Sequence, residues 1–295
     1  MSTPIIDITD LSKFYGKARG IEHVNLEIGE GEIFGFIGPN GAGKSTTIRI
    51  LLNLIFPSGG SARIMGMDVI RETKKIKRMI GYIPSDANAY PSMVVNEFLS
   101  YCIRFHEVPN GAHRITELSE LFELDLKRKI ADLSMGNRKK VSIVQSLLHY
   151  PKLLILDEPT TGLDPLMQAN FFELLRSENQ KGMTIFFSSH ILNEVQMLCK
   201  RVAIIKEGQI IKLEDIENLR KKQLKKVHIE FADQMNEENF RIDGIEHIII
   251  RLGNILSFMY SGDINNLVGL MAGRKMVNLT IEEPSLEEIF MHYYK

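Results

Sequence analysis

Gly38-Pro39-Asn40-Gly41-Ala42-Gly43-Lys44-Ser45-Thr46 is the stretch that decides the fold of this chain. It follows the apolar run Ile33-Phe34-Gly35-Phe36-Ile37, which reads as a buried strand. It precedes Thr47-Ile48-Arg49-Ile50-Leu51-Leu52, where no Gly or Pro stops a helix. Strand, glycine-rich loop, helix is the setting in which G-x-x-x-x-G-K-[ST] forms a phosphate loop. The glycines let successive backbone N–H groups converge on one anion, and the helix N-terminus adds the positive end of its dipole. Lys44 brings a full charge to the β- and γ-phosphates, and the Ser45 hydroxyl can ligate Mg²⁺. The stretch therefore implies a nucleoside triphosphate as ligand.

Working outward, 295 residues suffice for one large domain or two smaller ones. A formal charge of −1 offers no global attraction for nucleic acid. Cys102 and Cys199 are too few for a disulfide framework and suggest a reducing compartment. The N-terminal residues Met1 to Asp10 carry acids and lack a signal pattern. No apolar stretch approaches the roughly 18 residues that span a bilayer. The expectation is a cytoplasmic chain that meets a membrane only through a partner.

Ile5-Ile6-Asp7-Ile8 and Val24-Asn25-Leu26-Glu27-Ile28 alternate as half-buried strands of an antiparallel pair. Between them lies Lys13-Phe14-Tyr15-Gly16, where an aromatic either packs as core or stacks on a nucleotide base. Pro57-Ser58-Gly59-Gly60 breaks the chain, and Met79 to Ile83 reads as a strand ended by Pro84. From Met93 to Tyr150 the apolar spacing is helical, as in a helical subdomain (about 93–150) inserted into an α/β core. Within it Leu133-Ser134-Met135-Gly136-Asn137 precedes a helix beginning near Arg138. Ser134 and Gly136 there can offer a hydroxyl and open N–H groups to an anion.

Leu153-Leu154-Ile155-Leu156 suits a strand buried on both faces, delivering Asp157 and Glu158 at its carboxyl end. Asp157 would sit by the metal, and Glu158 would polarise an attacking water. A turn, Thr161-Gly162-Leu163-Asp164-Pro165, leads to a helix over Gln168–Leu175. The buried strand Thr184–Phe187 ends at Ser188-Ser189-His190, which puts His190 on the ligand-binding edge of the sheet. Arg201–Lys206 and Gln209–Leu213 form a closing hairpin, and residues 219–226 read as a basic linker. The rest, 227–295, has strands near Val227–Phe231, His247–Leu252, Leu256–Tyr260 and Met276–Ile281, with helices near Ile264–Met271 and from Ser285. It reads as a small α+β accessory domain without a catalytic constellation.

The ordered set of phosphate loop, Ser134-Gly136 loop, acidic strand, Asp164 turn and His190, over residues 5–218, resembles the ATP-binding subunit of an ATP-binding cassette (ABC) transporter. The resemblance implies a P-loop NTPase (RecA-like) core with an antiparallel β subdomain and an inserted helical subdomain, within a 1–218 ATP-binding domain. It implies ATP and Mg²⁺ as ligands, with the loop Gly38, Pro39, Asn40, Gly41, Ala42, Gly43, Lys44, Ser45 and Thr46 around the phosphates. Tyr15 then stacks on adenine, Ser45 and Asp157 hold Mg²⁺, Glu158 is the general base, and His190 contacts the γ-phosphate. Asp164 communicates across a dimer whose partner subunit's ATP is completed by Ser134 and Gly136. The resemblance is compatible with a homodimer or a heterodimer of ATP-binding subunits. The tail Pro284-Ser285-Leu286-Glu287-Glu288-Ile289-Phe290 is similar to cassettes that pair with a separate ABC-2-type transmembrane permease, commonly an exporter. That places the chain at the cytoplasmic membrane face through its permease.

Two positions depart from the family pattern. Met135 and Asn137 replace the first Gly and the Gln of Leu-Ser-Gly-Gly-Gln, while Ser134 and Gly136 are kept. Ser85 stands where the family usually places a metal-coupling Gln, so a bridging water or Asp86 would have to span the gap. A soluble ABC ATPase acting on DNA or ribosomes is the alternative. The DNA-repair type splits its cassette with a long coiled coil, whereas about 90 residues without sustained heptads separate Ser45 from Ser134 here. The ribosome-acting type generally has two cassettes in one chain. No nucleic-acid partner is expected.

Overall fold

The computed structural model describes residues 4–86, 90–217, 225–232, 243–272 and 274–282. The chain divides into two compact units, Met1–Asp215 and Ile216–Lys295.

In the first unit, β1 (Ile6–Tyr15) and β2 (Ala18–Ile28) form a hairpin with Ile6 opposite Ile28 and Tyr15 opposite Ala18. Ile6, Ile8 and Leu11 of β1 and Ile21, Val24, Leu26 and Ile28 of β2 point into the core. Two further strands, β4 (Gly59–Ile64) and β5 (Met67–Asp68), complete a sheet of order β2-β1-β4-β5. β4 starts inside the Pro57–Gly60 break, where Gly-Gly-Ser has little intrinsic strand preference. Pairing with β1, Ile6 opposite Ile64, and the burial of Ala62 and Ile64 recruit it.

The second sheet has six strands in the order β10-β9-β3-β8-β7-β6. Its members are β3 (Ile33–Ile37), β6 (Ile80–Ile83), β7 (Leu153–Asp157), β8 (Thr184–Ser189), β9 (Arg201–Lys206) and β10 (Gln209–Asp215). All neighbours run parallel except β9 and β10. Every residue of β3, β7 and β8 is buried, as continuous apolar runs covered on both faces require. Phe36 and Phe186 pack with centroids 5.4 Å apart inside this layer. Each such ring contributes about 1.5–3 kcal/mol of burial.

Helix α1 (Lys44–Leu51) follows the phosphate loop, and α2 (Thr73–Met79) precedes β6. Between β6 and β7 come α3 (Val95–Phe105), α4 (Gly111–Leu121), a 3₁₀ turn at Ile130–Asp132 and α5 (Met135–Leu147). α5 begins at Met135 rather than Arg138 because Ser134 caps it, its Oγ accepting from Asn137 N at 3.3 Å. α6 (Pro165–Gln180) is longer than the Gln168–Leu175 stretch, since Asp164 caps it and Pro165 occupies its first turn. A short α7 (Leu192–Leu198) links β8 to β9.

α4 and α6 are joined by an ion pair out of water. Arg114, 2% exposed, donates to Glu178 at 2.9 Å, while Lys181 reaches the same carboxylate at 3.0 Å. Burial raises the carboxyl pKa of Glu178, but the hydrogen bonds from Arg114 and Lys181 outweigh it and the net shift is downward. At the end of α5, His149 stacks on His106 at 4.0 Å and its Nε2 lies 3.0 Å from Ile80 O. A carbonyl only accepts, so Nε2 carries the proton; Nδ1 is buried without a partner. Burial, then the neighbouring His106, lowers the His149 pKa to about 4.

In the second unit, β11 (Lys225–Phe231), β12 (Ile245–Leu252), β13 (Ile255–Tyr260) and β14 (Met276–Glu282) form an antiparallel sheet of order β12-β13-β11-β14. Helix α8 (Ile264–Met271) packs Leu267 and Met271 into the same core as Val227, Ile229, Phe231 and Phe258. Lys225 and Lys226, read from sequence as linker, are strand residues: Lys226 sits opposite Met259 on one side and Glu282 on the other. Residues 219–224, the helix expected from Ser285 and the Pro284–Phe290 tail lie outside the described residues.

Two measurements check these packing arguments. Glu178→Ala leaves Arg114 buried and partly unpaired, so it should lower unfolding stability by about 3–5 kcal/mol in denaturant titration. Replacing both partners together, Arg114→Met with Glu178→Leu, should restore most of that loss. For His149, the folded ring resists protonation while the unfolded ring takes its proton at the ordinary value. Its contribution is complete above about pH 6.5 and is lost as pH falls towards about 4. The melting temperature should therefore fall less over that window in His149→Gln, which keeps a donor for Ile80 O, than in the unsubstituted chain.

Candidate active site

Register places the site. Ile37 lies beside Ser189, and Asp157 beside Ser188, so β3, β7 and β8 end at one level. Gly38, Glu158 and His190 are the residues that follow those three ends. β3 and β7 are separated by β8 alone, a gap of roughly 10 Å at ordinary strand spacing. A lysine side chain can cross it.

Lys44 does so. It is 4% exposed, and its Nζ donates to Gly38 O at 2.6 Å and Pro39 O at 3.2 Å. The same ammonium lies 3.3 Å from Glu158 Oε1. His190 Nδ1 lies 3.2 Å from that same oxygen. The loop geometry depends on Gly43, whose φ is +112° and whose absent Cβ would lie 2.6 Å from Ile21 Cγ2. Any side chain there is strained and crowded together.

Asp157 is buried beneath this edge and accepts from Ser188 Oγ at 3.0 Å. Glu158 takes a left-handed backbone, φ 49°, with its N–H donating to Ser188 O at 3.0 Å. A non-glycine residue held there costs on the order of 1 kcal/mol or more, so its surroundings must over-determine it. Part of that surrounding is a second carboxylate. Glu194 of α7 is buried and accepts from Thr160 Oγ1 at 2.5 Å and from Ser189 Oγ at 2.6 Å. It thereby joins the segment after Glu158 to the residue before His190.

Tyr15 is 48% exposed, so the core alternative for this ring does not apply. A Cβ built on Gly20 would meet Tyr15 Cε2 at 2.9 Å and Thr46 Cγ2 at 3.3 Å, which sets the ring next to the start of α1. Lys13 Nζ lies 5.3 Å from the ring centroid. A cleft of about 260 Å³ lined by Arg19, Pro39, Asn40, Ala42 and Lys206 runs along the loop.

Ser134, Gly136 and Asp164 form a separate group. Ser134 and Asp164 are exposed helix caps, the latter accepting from Met167 N at 3.0 Å. A Cβ on Gly136 would sit 2.6 Å from Gly162 O, so the start of α5 lies directly on the turn that leads to Asp164. Among the described residues no group of three or more His, Cys, Asp or Glu could hold a metal ion. The donors that the family resemblance assigns to a cation are the Ser45 hydroxyl and the Asp157 carboxylate. One carboxylate, one hydroxyl and substrate phosphates suit Mg²⁺, which keeps several waters and seldom takes an all-protein cage.

Sequence reasoning missed Lys139. It is 1% exposed on α5, and its Nζ donates to Pro84 O at 2.7 Å, Ser85 O at 3.0 Å and Glu158 O at 3.2 Å. Burial pushes its pKa down to about 8 against the opposing pull of Asp157, Asp86 and Glu158. One signal was available: helical periodicity puts Lys139 four residues before Ile143, on the buried face. Glu194 carried the same signal, four residues before Leu198 on the buried face of α7.

Comparisons with known proteins identify the family. A family model described as ABC transporter matches residues 21–161. The bacitracin transport ATP-binding protein BcrA of Bacillus licheniformis is 35% identical, over 99% of this chain and 97% of its own length. The linearmycin resistance ATP-binding protein LnrL of Bacillus subtilis is 35% identical, over 70% of this chain and 68% of its own. Among solved structures, an ATP-binding subunit of an ABC transporter superposes with a TM-score of 0.70 at 30% identity, covering 74% of this chain and 92% of that one. The dimeric cassette MJ0796 in a post-hydrolysis state with ADP and Pi gives 0.67 at 26% identity, covering 72% and 98%. No helix among the described residues is long and apolar enough to cross a membrane. Residues, register and relatives converge, and the chain belongs to the ABC transporter family as an ATP-binding, ATP-hydrolysing subunit.

Proposed function

We propose that this subunit drives export through a separate ABC-2-type membrane permease, two ATP-binding chains closing around two MgATP and reopening after hydrolysis. The observation that carries the hydrolytic part is the convergence of Lys44 Nζ and His190 Nδ1 on one oxygen of Glu158. A carboxylate in that position is the base that takes a proton from the attacking water. Lys44 neutralises charge on the β- and γ-phosphates, the Gly38–Thr46 backbone donates to them, and His190 contacts the γ-phosphate. Ser45 and Asp157 would hold Mg²⁺, which supplies further charge to the phosphate oxygens. The exposed Tyr15 ring offers a face to adenine, and the Ser134–Gly136 loop with the Asp164 turn faces a second chain.

Support for an export role comes from the relatives, named for transport of bacitracin and resistance to linearmycin. By extension the cargo here is a toxic small molecule or peptide, and the site of action is the cytoplasmic face of the membrane. The second unit has an antiparallel sheet and a helix without a metal-ligating group among its described residues. Its proposed role is to help hold or regulate the assembled subunits.

Glu158→Gln keeps shape but loses proton acceptance, so turnover should fall on the order of 10²-fold or more while ATP binding persists. The variant should accumulate as an ATP-bound dimer in size-exclusion chromatography with MgATP; hydrolysis at the unsubstituted rate overturns the assignment. Lys44→Ala removes a charge-assisted contact of roughly 1.5–3 kcal/mol. A nucleotide-binding titration should show Kd for ATP rising about ten- to a hundredfold. An unchanged Kd rules against this loop as the phosphate site.

A further inference from the structure

Lys139 stands apart from the residues that the ATP site itself requires, yet it is among the most deeply buried charged side chains described. Taking an ammonium out of water costs several kcal/mol unless its hydrogens all find acceptors, and an apolar side chain would fill the same space at no such cost. All of its donors are used, and the acceptors are Pro84 O, Ser85 O and Glu158 O. Those carbonyls belong to two segments remote in sequence, the residues after β6 and the residue after β7. These strands are parallel neighbours, with Ile83 beside Leu156, so their ends emerge side by side. The ammonium bridges them from below, and its own helix is α5, the helix that Ser134 caps.

The contact falls on the main chain of Glu158, the residue with the left-handed φ of 49°. Its N–H is held by Ser188 O, its carbonyl by Lys139, and its carboxylate by Lys44 and His190. Removing the Lys139 bond frees one of the three restraints on how the carboxylate is aimed. It leaves the phosphate loop untouched, since no bond of Lys139 reaches residues 38–46. It also removes a polar tie between α5 and the acid-bearing strand end. The geometry points to Lys139 as a positioning residue for ATP hydrolysis: its ammonium fastens the Ser134-capped helix and the 84–85 segment to the Glu158 backbone, and so aims the carboxylate. This rests on Glu158 being the base.

The test is steady-state MgATP kinetics on the full chain with Lys139→Met, which keeps length and loses every donor, and Lys139→Gln, which keeps two. Melting curves establish that each variant is folded. In Lys139→Met, kcat should fall about tenfold or more with KM for ATP within about twofold, the pattern of an interaction felt in the transition state. Lys139→Gln should lie between that variant and the unsubstituted chain. A folded Lys139→Met with unchanged kcat overturns the proposal, as does a KM that rises by the factor that kcat falls. If Lys139→Met does not fold, Lys139→Gln is read alone: a kcat lower by about threefold or more with KM within about twofold supports the role, and any other result overturns it. Glu158→Gln assayed beside them separates the two readings. An active Glu158→Gln removes the base, whereas inactive Glu158→Gln with fully active Lys139→Met removes only the positioning role.

Discussion

A buried ammonium needs oxygens around it, and Lys44 finds them because β3, β8 and β7 end at the same level. With 4% of its surface exposed, the residue would face a desolvation cost of several kcal/mol if left alone. The carbonyls of Gly38 and Pro39 and the carboxylate of Glu158 offset that cost. A slip of one residue in any of the parallel pairings would turn the side chains of a strand to its other face. The continuous burial of β3, β7 and β8 removes the alternation that would otherwise define that register. Ends and turns define it instead: Glu158 N–H on Ser188 O, and Ser188 Oγ on Asp157.

The polar groups beneath the sheet edge differ in what they can do. Asp157 is turned inward onto a serine, whereas Glu158, 21% exposed along its side chain, opens to solvent. Adjacent carboxylates thus meet different surroundings because one emerges from an extended strand and the next from a left-handed bend. Glu194 and Lys139 complete the division. Both are buried: Glu194 takes hydroxyls from Thr160 and Ser189, and Lys139 donates to the carbonyls of Pro84, Ser85 and Glu158, so each ties together segments at the strand ends.

The phosphate loop was legible in the sequence because its meaning is local, nine residues with a strand before and a helix after. The acidic strand and the strand before His190 were legible for the same reason, as apolar runs with polar ends. The small second unit was legible through its turns, Gly253-Asn254 above all, which joins β12 to β13. What escaped was set by contacts distant in the chain. β4 is a strand because β1 pairs with it from about 50 residues away. Lys139 looked like one member of a basic run, Arg138-Lys139-Lys140, since its acceptors lie 55 residues before and 19 after it. The phenol of Tyr15 could be weighed either way until the hairpin showed it half exposed beside Thr46.

The Glu194 carboxylate takes a hydroxyl from Thr160 on one oxygen and from Ser189 on the other. Two loops that share one buried carboxylate are tied to each other, because either departure leaves one of its oxygens without its hydroxyl donor. The acidic end of β7 and the histidine end of β8 therefore behave as one body with few internal degrees of freedom. Any larger rearrangement has to carry both loops as a block, which makes it a slow, collective displacement and not a sequence of independent loop movements.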